Sequence, residues 1–140
     1  MFKKNINDRI SEWAKHRQQI DRSDTPLEDV WEFWQKAPFI PYNKNIDPYN
    51  KKSWPTPWDI IVENKYDDFT KSLIIALTLK YTNKFKNIPI EIQVIIDSEK
   101  QKRYNVVIVD NKFVLNFSDT GPIVKDSILD NFFIENSIQI

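Results

Sequence analysis

The spacing of apolar residues changes once along the chain, near residue 88, and this change limits the possible folds more than any other feature. Before it, apolar residues recur with the period of an amphipathic helix. After it, they alternate with polar residues, as in Ile90-Glu91-Ile92-Gln93-Val94, which is typical of a strand. We therefore predict an α+β fold: a helical N-terminal half with a buried central helix, packed on a three-stranded or larger antiparallel β-meander.

The N-terminal half contains clear helix-start signals. Thr25-Pro26-Leu27-Glu28 offers a capping hydroxyl, a proline at the first helical position and a glutamate for a capping box. Thr56-Pro57-Trp58-Asp59 repeats this pattern, and Asp67 or Asp68 is expected to cap the most apolar helix, which we predict to be the buried central one. The four predicted helices cover residues 5–21, the stretch from Thr25 to just before Pro38, residues 57–64 and residues 68–82.

The C-terminal half is predicted to contain three strands, over residues 88–96, 104–109 and 112–117, with Asp110-Asn111 as a tight hairpin turn. Beyond them we expect a short closing helix over residues 127–133 or an irregular tail. The chain is expected to be a single domain, made of an N-terminal helix (1–24), a helix with a proline-rich loop and a short helix (25–64), the central helix with the meander (65–121) and a C-terminal tail (122–140).

Composition excludes several kinds of chemistry. The chain has no cysteine and one glycine, so disulfides, thiolate nucleophiles, Cys-ligated zinc and glycine-rich phosphate loops are ruled out. Its 20 Lys and Arg balance 20 Asp and Glu, which gives no general attraction to nucleic acid or anionic lipid. We therefore expect no cofactor, no metal, no nucleic-acid partner and no membrane partner. The N-terminal segment lacks an apolar signal region, and no apolar run is long enough to span a membrane, so we expect neither secretion by a signal peptide nor a transmembrane protein.

Two stretches carry a resemblance to a known family. The first is the helix start Tyr66-Asp67-Asp68-Phe69-Thr70, and the second is the strand, turn and strand from Tyr104 to Asn116. With the order of elements over residues 54–119, they resemble the transglutaminase-like branch of the papain-like cysteine peptidase fold. The resemblance implies a nucleophilic cysteine at the start of the central helix, a histidine at the start of the second strand of the meander, and an Asp or Asn at the end of the third.

This chain departs from the family pattern at the catalytic positions. Asp67 and Asp68 stand at the helix start where the family has its cysteine, Tyr104 stands where the histidine would be, and Asn116 stands where the Asp would be. A tyrosine with an ordinary pKa of about 10 is a poor general base at neutral pH. The resemblance therefore implies a degenerate site without catalysis, and the alternative is that these are ordinary core or edge residues of an unrelated α+β domain.

Two further polar features are candidate sites. His16, the single histidine, lies beside Arg17 on the predicted polar side of the first helix and is expected to face solvent. One histidine cannot form a histidine-rich metal site, so no role in chemistry is expected for it. Asp67 and Asp68, with Glu63 one turn earlier, form the best acidic cluster. Helix capping explains the two aspartates, whereas a carboxylate-dependent hydrolase acting on a glycan or cell-wall bond is the alternative interpretation.

Aromatic residues in and after the second helix predict a protein-docking surface. Successive residues of a helix lie about 100° apart, so the aromatics of Trp31-Glu32-Phe33-Trp34 cannot all face one core. In the proline-rich loop, Trp54 is expected at the surface and Trp58 is expected to point inward. The predicted partner-binding residues are Trp31, Phe33, Trp34, Phe39 and Trp54.

The function predicted from these features is a non-catalytic structural or protein-interaction module. Composition and the degenerate site suggest an accessory or virion-associated protein of a tailed bacteriophage, located in the virion or the host cytoplasm. Its expected partners are proteins, either other virion proteins or further copies of the chain. The alternatives are the carboxylate-dependent hydrolase and a small inhibitor of a host protein.

Overall fold

The computed structural model describes residues 1–128 and 130–140. The predicted α+β class is confirmed, because four α-helices occupy the N-terminal half of the described chain and a five-stranded antiparallel sheet occupies the C-terminal half. The helices are α1 (Ile6–Arg22), α2 (Pro26–Trp34), α3 (Pro57–Glu63) and α4 (Asp68–Lys80). The strands are β1 (Ile90–Asp97), β2 (Lys102–Val109), β3 (Phe113–Leu115), β4 (Ile123–Val124) and β5 (Phe132–Gln139).

Most helix starts use the residues that the sequence indicated. Thr56 and the side chain of Asp59 form a capping box at α3, and Asp67 caps α4. At α2 the expected capping box does not form, although Pro26 occupies the first turn. The hydroxyl of Thr25 donates to Asp29 Oδ1 at 3.3 Å, and its oxygen accepts no hydrogen bond from the helix backbone.

The sheet has the strand order β4-β3-β2-β1-β5, and α4 packs against its two central strands, β1 and β2. Asp110 and Asn111 form the predicted hairpin turn, each with a φ of 53°, and Lys112 N donates to Val109 O at 3.0 Å. Because side chains alternate along a strand, Val107 and Val109 of β2 join the core under the helices, and Val106 and Ile108 lie on the opposite face.

The prediction of a closing helix or an irregular tail at the C-terminus is wrong for most of the tail. A short 3₁₀ helix at Lys125–Ser127 is followed by β5, which pairs antiparallel with β1 along its length. The pairing continues to Ile140, whose backbone N donates to Ile90 O at 2.9 Å. β1 needs this second neighbour because its backbone groups would otherwise be unpaired next to a buried core. Residue 129 of the predicted closing helix lies outside the described residues.

Two apolar clusters lie on the two faces of the sheet. The larger one contains the fully buried Trp13, Trp34 and Tyr66 between the helices and the sheet. The smaller one contains Val106 and Val114 with the surrounding aromatic residues of the C-terminal segment. In the described part of the chain, no helix combines the length and apolar character that a membrane span requires.

His16 is buried, which corrects the expectation that it faces solvent. Its side chain lies between α1 and α2 with 4% of its surface exposed, and its ring stacks on Phe33 at 3.8 Å between centroids. Its Nε2 atom has no hydrogen-bond partner. Burial lowers the pKa of His16 from the usual 6.5 to about 4, and the nearby Asp29 carboxylate opposes this effect. The folded protein therefore holds the ring neutral.

We predict that this histidine makes the folded state lose stability as the pH falls. Because its pKa is lower in the folded than in the unfolded chain, its contribution is complete above pH 6.5 and decreases as the pH falls toward 4. The loss is about 3 kcal/mol of unfolding free energy. Urea unfolding between these pH values measures it, with His16→Phe as the matched control because that ring stacks but does not titrate. Identical pH profiles for the two proteins would contradict the prediction.

Candidate functional site

The start of α4 meets β2 and the residue after β3 in one hydrogen-bonded cluster. Asp68 Oδ2 accepts from Asn105 N and from Asn105 Nδ2, both at 3.1 Å. Asn116 Nδ2 lies 3.2 Å from Asp68 Oδ1 and 2.7 Å from Ser72 Oγ. The hydroxyl of Ser72 in turn donates to Asn105 O at 2.7 Å. We call these four residues, Asp68, Ser72, Asn105 and Asn116, the amide cluster.

Local structure explains why these side chains converge. Asp68 is the first residue of α4 and Ser72 lies one turn later on the same side. Asn105 lies on the helix-facing side of β2, in line with Val107. Asn116 follows β3 with a φ of 63°, a left-handed conformation that asparagine adopts more readily than most residues. This backbone turn brings its amide back toward the helix.

Of the degenerate positions suggested by the family resemblance, Asp68 and Asn116 are brought together but Tyr104 is not. The Tyr104 ring packs in the smaller apolar cluster, 5.1 Å from the Phe117 ring and 5.8 Å from the Phe132 ring between centroids. Asn105, its neighbour, points toward Asp68 instead. The sequence could not distinguish these two positions, because residues 106–109 are all apolar and show no alternation.

The chemistry available in the amide cluster is limited. The Asp68 carboxylate accepts hydrogen bonds from amide N–H groups on both oxygens, and neither a thiol nor an imidazole is close to it, since the single histidine packs between α1 and α2. The described residues contain no group of three or more His, Cys, Asp or Glu side chains that could hold a metal ion. The cluster joins helix and sheet, and no nucleophile and base are paired in it.

The acidic cluster expected from Glu63, Asp67 and Asp68 does not form, because each carboxylate has a different environment. Asp67 is buried and accepts from Thr70 N at 2.7 Å through one oxygen and from Asn43 N at 3.0 Å through the other. Asp68 binds the amides described above, and Glu63 is exposed at the end of α3. Asp67 therefore caps α4 and holds the proline-rich loop at the same time.

The proline-rich loop, residues 38–56, is held against the start of α4. Ile40 N donates to Tyr66 O, and Tyr66 N donates to Pro38 O, each at 3.0 Å, in a short parallel bridge. The Asn43–Asp67 bond fixes the next turn of the loop. Between these attachments, Phe39 is 69% exposed and Tyr42 is 72% exposed, more than any other large hydrophobic side chain that the structure describes.

Two clefts flank this attachment and share Asp68 and Arg103. The first, of about 410 Å³, is lined by Trp31, Phe39, Lys71, Lys102 and Asp119 among others. The second, of about 520 Å³, is lined by Pro41, Tyr42, Pro48, Tyr49 and Asn105 among others. We call the two clefts together the Asp68 groove. Its walls carry many of the aromatic residues of the proline-rich loop.

The predicted docking residues are distributed over three environments. Trp31 lines the groove, and its ring supports the loop at Gly121, where a β-carbon would lie 3.6 Å from the ring and the φ of 122° is one that L residues rarely adopt. Phe33 stacks on His16, outside the groove. Trp34 is fully buried, so its expected role in partner binding is wrong: its side chain is part of the core.

The expected orientations of the two loop tryptophans are reversed. Trp54 packs on Phe69 at 5.2 Å between ring centroids and donates from Nε1 to Asp47 O at 2.9 Å, which fastens the loop to the central helix. Trp58 is 40% exposed and covers Trp13 edge to face. Trp54 is better placed inside because its N–H finds a partner within the loop. Trp58 instead lies on the outer side of α3.

Tyr42 is a surface residue of the groove that was not among the predicted docking residues. Its position directly after Pro41, in a stretch rich in proline and aromatic residues, is a sequence signal that could have identified it. The comparisons with known proteins add no family: no protein-family model matches the chain, and no curated protein is significantly similar to it.

We predict that Asp67 is worth more to stability than its neighbours in the sequence. Asp67→Ala removes a helix cap and leaves the buried Asn43 N–H unpaired, at an expected cost of about 2–4 kcal/mol in unfolding free energy. Asp67→Asn keeps one acceptor oxygen and is expected to lose about half as much. The exposed Glu63→Ala is the control, with an expected change within about 0.5 kcal/mol.

Urea unfolding of the three variants measures these differences. Hydrogen exchange provides a second measurement, because the Asn43 amide should exchange faster in Asp67→Ala than in the parent protein. Equal stability of Asp67→Ala and Glu63→Ala would contradict the prediction.

Proposed function

We propose that this chain is a non-catalytic protein-interaction module that binds a partner in the Asp68 groove, with Phe39 and Tyr42 as its anchors. The observation that carries the proposal is that these two highly exposed aromatic side chains belong to a loop that is attached on both sides. The backbone N–H of Ile40 donates to the carbonyl of Tyr66, and the backbone N–H of Asn43 donates to the carboxylate of Asp67. Exposed aromatics on a fixed backbone are typical of binding hot spots.

The energetics of binding favour this arrangement. Covering an exposed aromatic side chain on association stabilises a complex by about 1.5–3 kcal/mol per residue, before ordering costs are subtracted. A loop already held by backbone hydrogen bonds loses little conformational entropy when it binds, so more of that free energy contributes to affinity. Trp31, which lines the same cleft and contacts the loop at Gly121, extends the aromatic surface next to Phe39.

The amide cluster is the reason that we propose a non-catalytic role. Covalent or acid–base catalysis needs a nucleophile paired with a base, or two facing carboxyl groups, whereas the hydrogen-bond partners of the Asp68 carboxylate are the amide groups of Asn105 and Asn116. The hydrolase alternative has less support, because Asp67 is occupied by Thr70 and Asn43 and Glu63 does not join the groove. The degenerate papain-like interpretation and this geometry lead to the same proposal.

The biological setting stays a prediction from composition. We propose an accessory or virion-associated protein of a tailed bacteriophage, with a small inhibitor of a host protein as the alternative. The first predicts that mass spectrometry of purified particles detects the chain in a fixed ratio to the capsid protein. Its absence from particles, together with a complex with a host protein, would favour the inhibitor.

The docking proposal predicts position-specific cross-linking. A photo-reactive phenylalanine analogue at position 39 or 42, in cells that express the chain naturally, should give a discrete adduct with one other polypeptide. The same analogue at Tyr81 or Trp58 is the matched control, since these aromatics are 45% and 40% exposed on a different part of the surface. Trp31→Ala should weaken the adduct at position 39, because the two residues share a cleft wall. Equal adducts from all four positions, or none from 39 and 42, would contradict the proposal.

A further inference from the structure

The first cleft of the Asp68 groove contains two lysines that lack a carboxylate partner. Lys71 is partly buried on α4, and its Nζ donates to the neutral amide oxygen of Gln35 at 3.1 Å. Burial lowers the pKa of Lys71, while the more distant charges of Asp68 and Asp119 act in the opposite direction. An ammonium group that has lost part of its hydration without gaining an ion pair is stabilised when a carboxylate approaches it.

Lys102 is the second such lysine. Its Nζ lies 4.8 Å from the centroid of the Tyr104 ring in a cation–π contact, and both residues line the same cleft. The four ion pairs formed within residues 1–128 and 130–140 include neither Lys71 nor Lys102. Neither ammonium charge is therefore balanced by a direct carboxylate contact within the described residues.

The other charged groups of the cleft are placed differently. Arg103 pairs with Glu135 at 3.2 Å, and Tyr49 also donates to that carboxylate at 3.0 Å, so this arginine is already neutralised. Asp68 accepts from the amides of its cluster. Asp119 lies in the cleft wall without an ion pair to Lys71. A polyanion such as a nucleic acid would be repelled by these two carboxylates. A single carboxylate could contact the lysines without approaching them.

We infer that the groove binds an extended segment of a partner polypeptide that places an acidic side chain between Lys71 and Lys102, with an apolar residue beside it on Phe39 and Trp31. This inference rests on the proposed function and adds the chemistry of the partner. The charged contact determines the register of the segment, and the aromatic wall contributes most of the buried apolar area. A carboxylate rather than a phosphate is specified because the cleft has both signs of charge.

Selection from a random peptide library on the purified 140-residue chain tests the inference. Enriched 12-residue peptides are expected to contain Asp or Glu next to an apolar residue. The best peptide is then synthesised with its acidic residue and with the matching amide, and fluorescence anisotropy measures the two affinities. The amide version should bind about tenfold more weakly, and the affinity of the acidic version should fall as salt is added.

Substitutions of the two lysines test whether they contact the acidic residue of the peptide. Lys71→Gln and Lys102→Gln should each lower the affinity for the acidic peptide about fivefold and leave the affinity for the amide peptide unchanged. Lys15→Gln, at an exposed position of α1, is the control and should change neither affinity. Far-ultraviolet circular dichroism of each variant confirms that it is folded before binding is compared.

The possible failures separate this inference from the proposed function. The inference would be overturned, and the docking proposal left intact, by peptides that require Phe39 and Tyr42 but lack acidic residues. Peptides whose affinity is unchanged by both lysine substitutions would have the same consequence. Enriched peptides that bind equally well to Phe39→Ala and Tyr42→Ala would overturn both, as would a library that yields no binder above background.

Discussion

The buried carboxylate of Asp67 is the contact on which the rest of the structure depends. One oxygen caps the central helix at Thr70 N and the other holds the proline-rich loop at Asn43 N. A buried charge is stable only when its hydrogen-bonding capacity is used, so the two segments must stay together for either to be satisfied. The parallel bridge between Phe39 and Tyr66 adds to this attachment. A loop with several prolines thus acquires a defined shape, and the aromatic side chains on it acquire fixed positions.

A second polar junction lies one residue later and joins the same helix to the sheet. Asp68 accepts hydrogen bonds from Asn105 of β2 and from Asn116, which follows β3. Here the donors are amides, which neither gain nor lose a proton near neutral pH. The hydrogen bonds of this junction therefore hold the helix to the strands. This leaves the surrounding groove free for binding, which is the role that we propose for it.

The aromatic residues perform different tasks according to what surrounds them. Trp13 and Trp34 are buried in the core, and Trp54 fastens the loop to Phe69 with its N–H bonded to Asp47 O. Within residues 1–128 and 130–140, Phe39 and Tyr42 have no such partners, and both are exposed beside the groove. Charge follows a similar division, because Arg103 has an ion-pair partner in the described chain whereas the two nearby lysines do not. The proposed binding surface is thus the place where apolar and cationic groups remain uncovered.

The sequence by itself determined the α+β class, the helix starts, the hairpin turn and the excluded chemistry, because periodicity, caps and turn residues are local properties. Tertiary structure alone decided the rest. β5 became a strand because β1 needed a second neighbour, and Asn105 rather than Tyr104 faced Asp68 because the helix covers only one side of β2. His16 was buried by a ring from another helix. Such outcomes depend on which distant segment supplies a partner for a backbone group or side chain, and the spacing of residues along the chain does not record that.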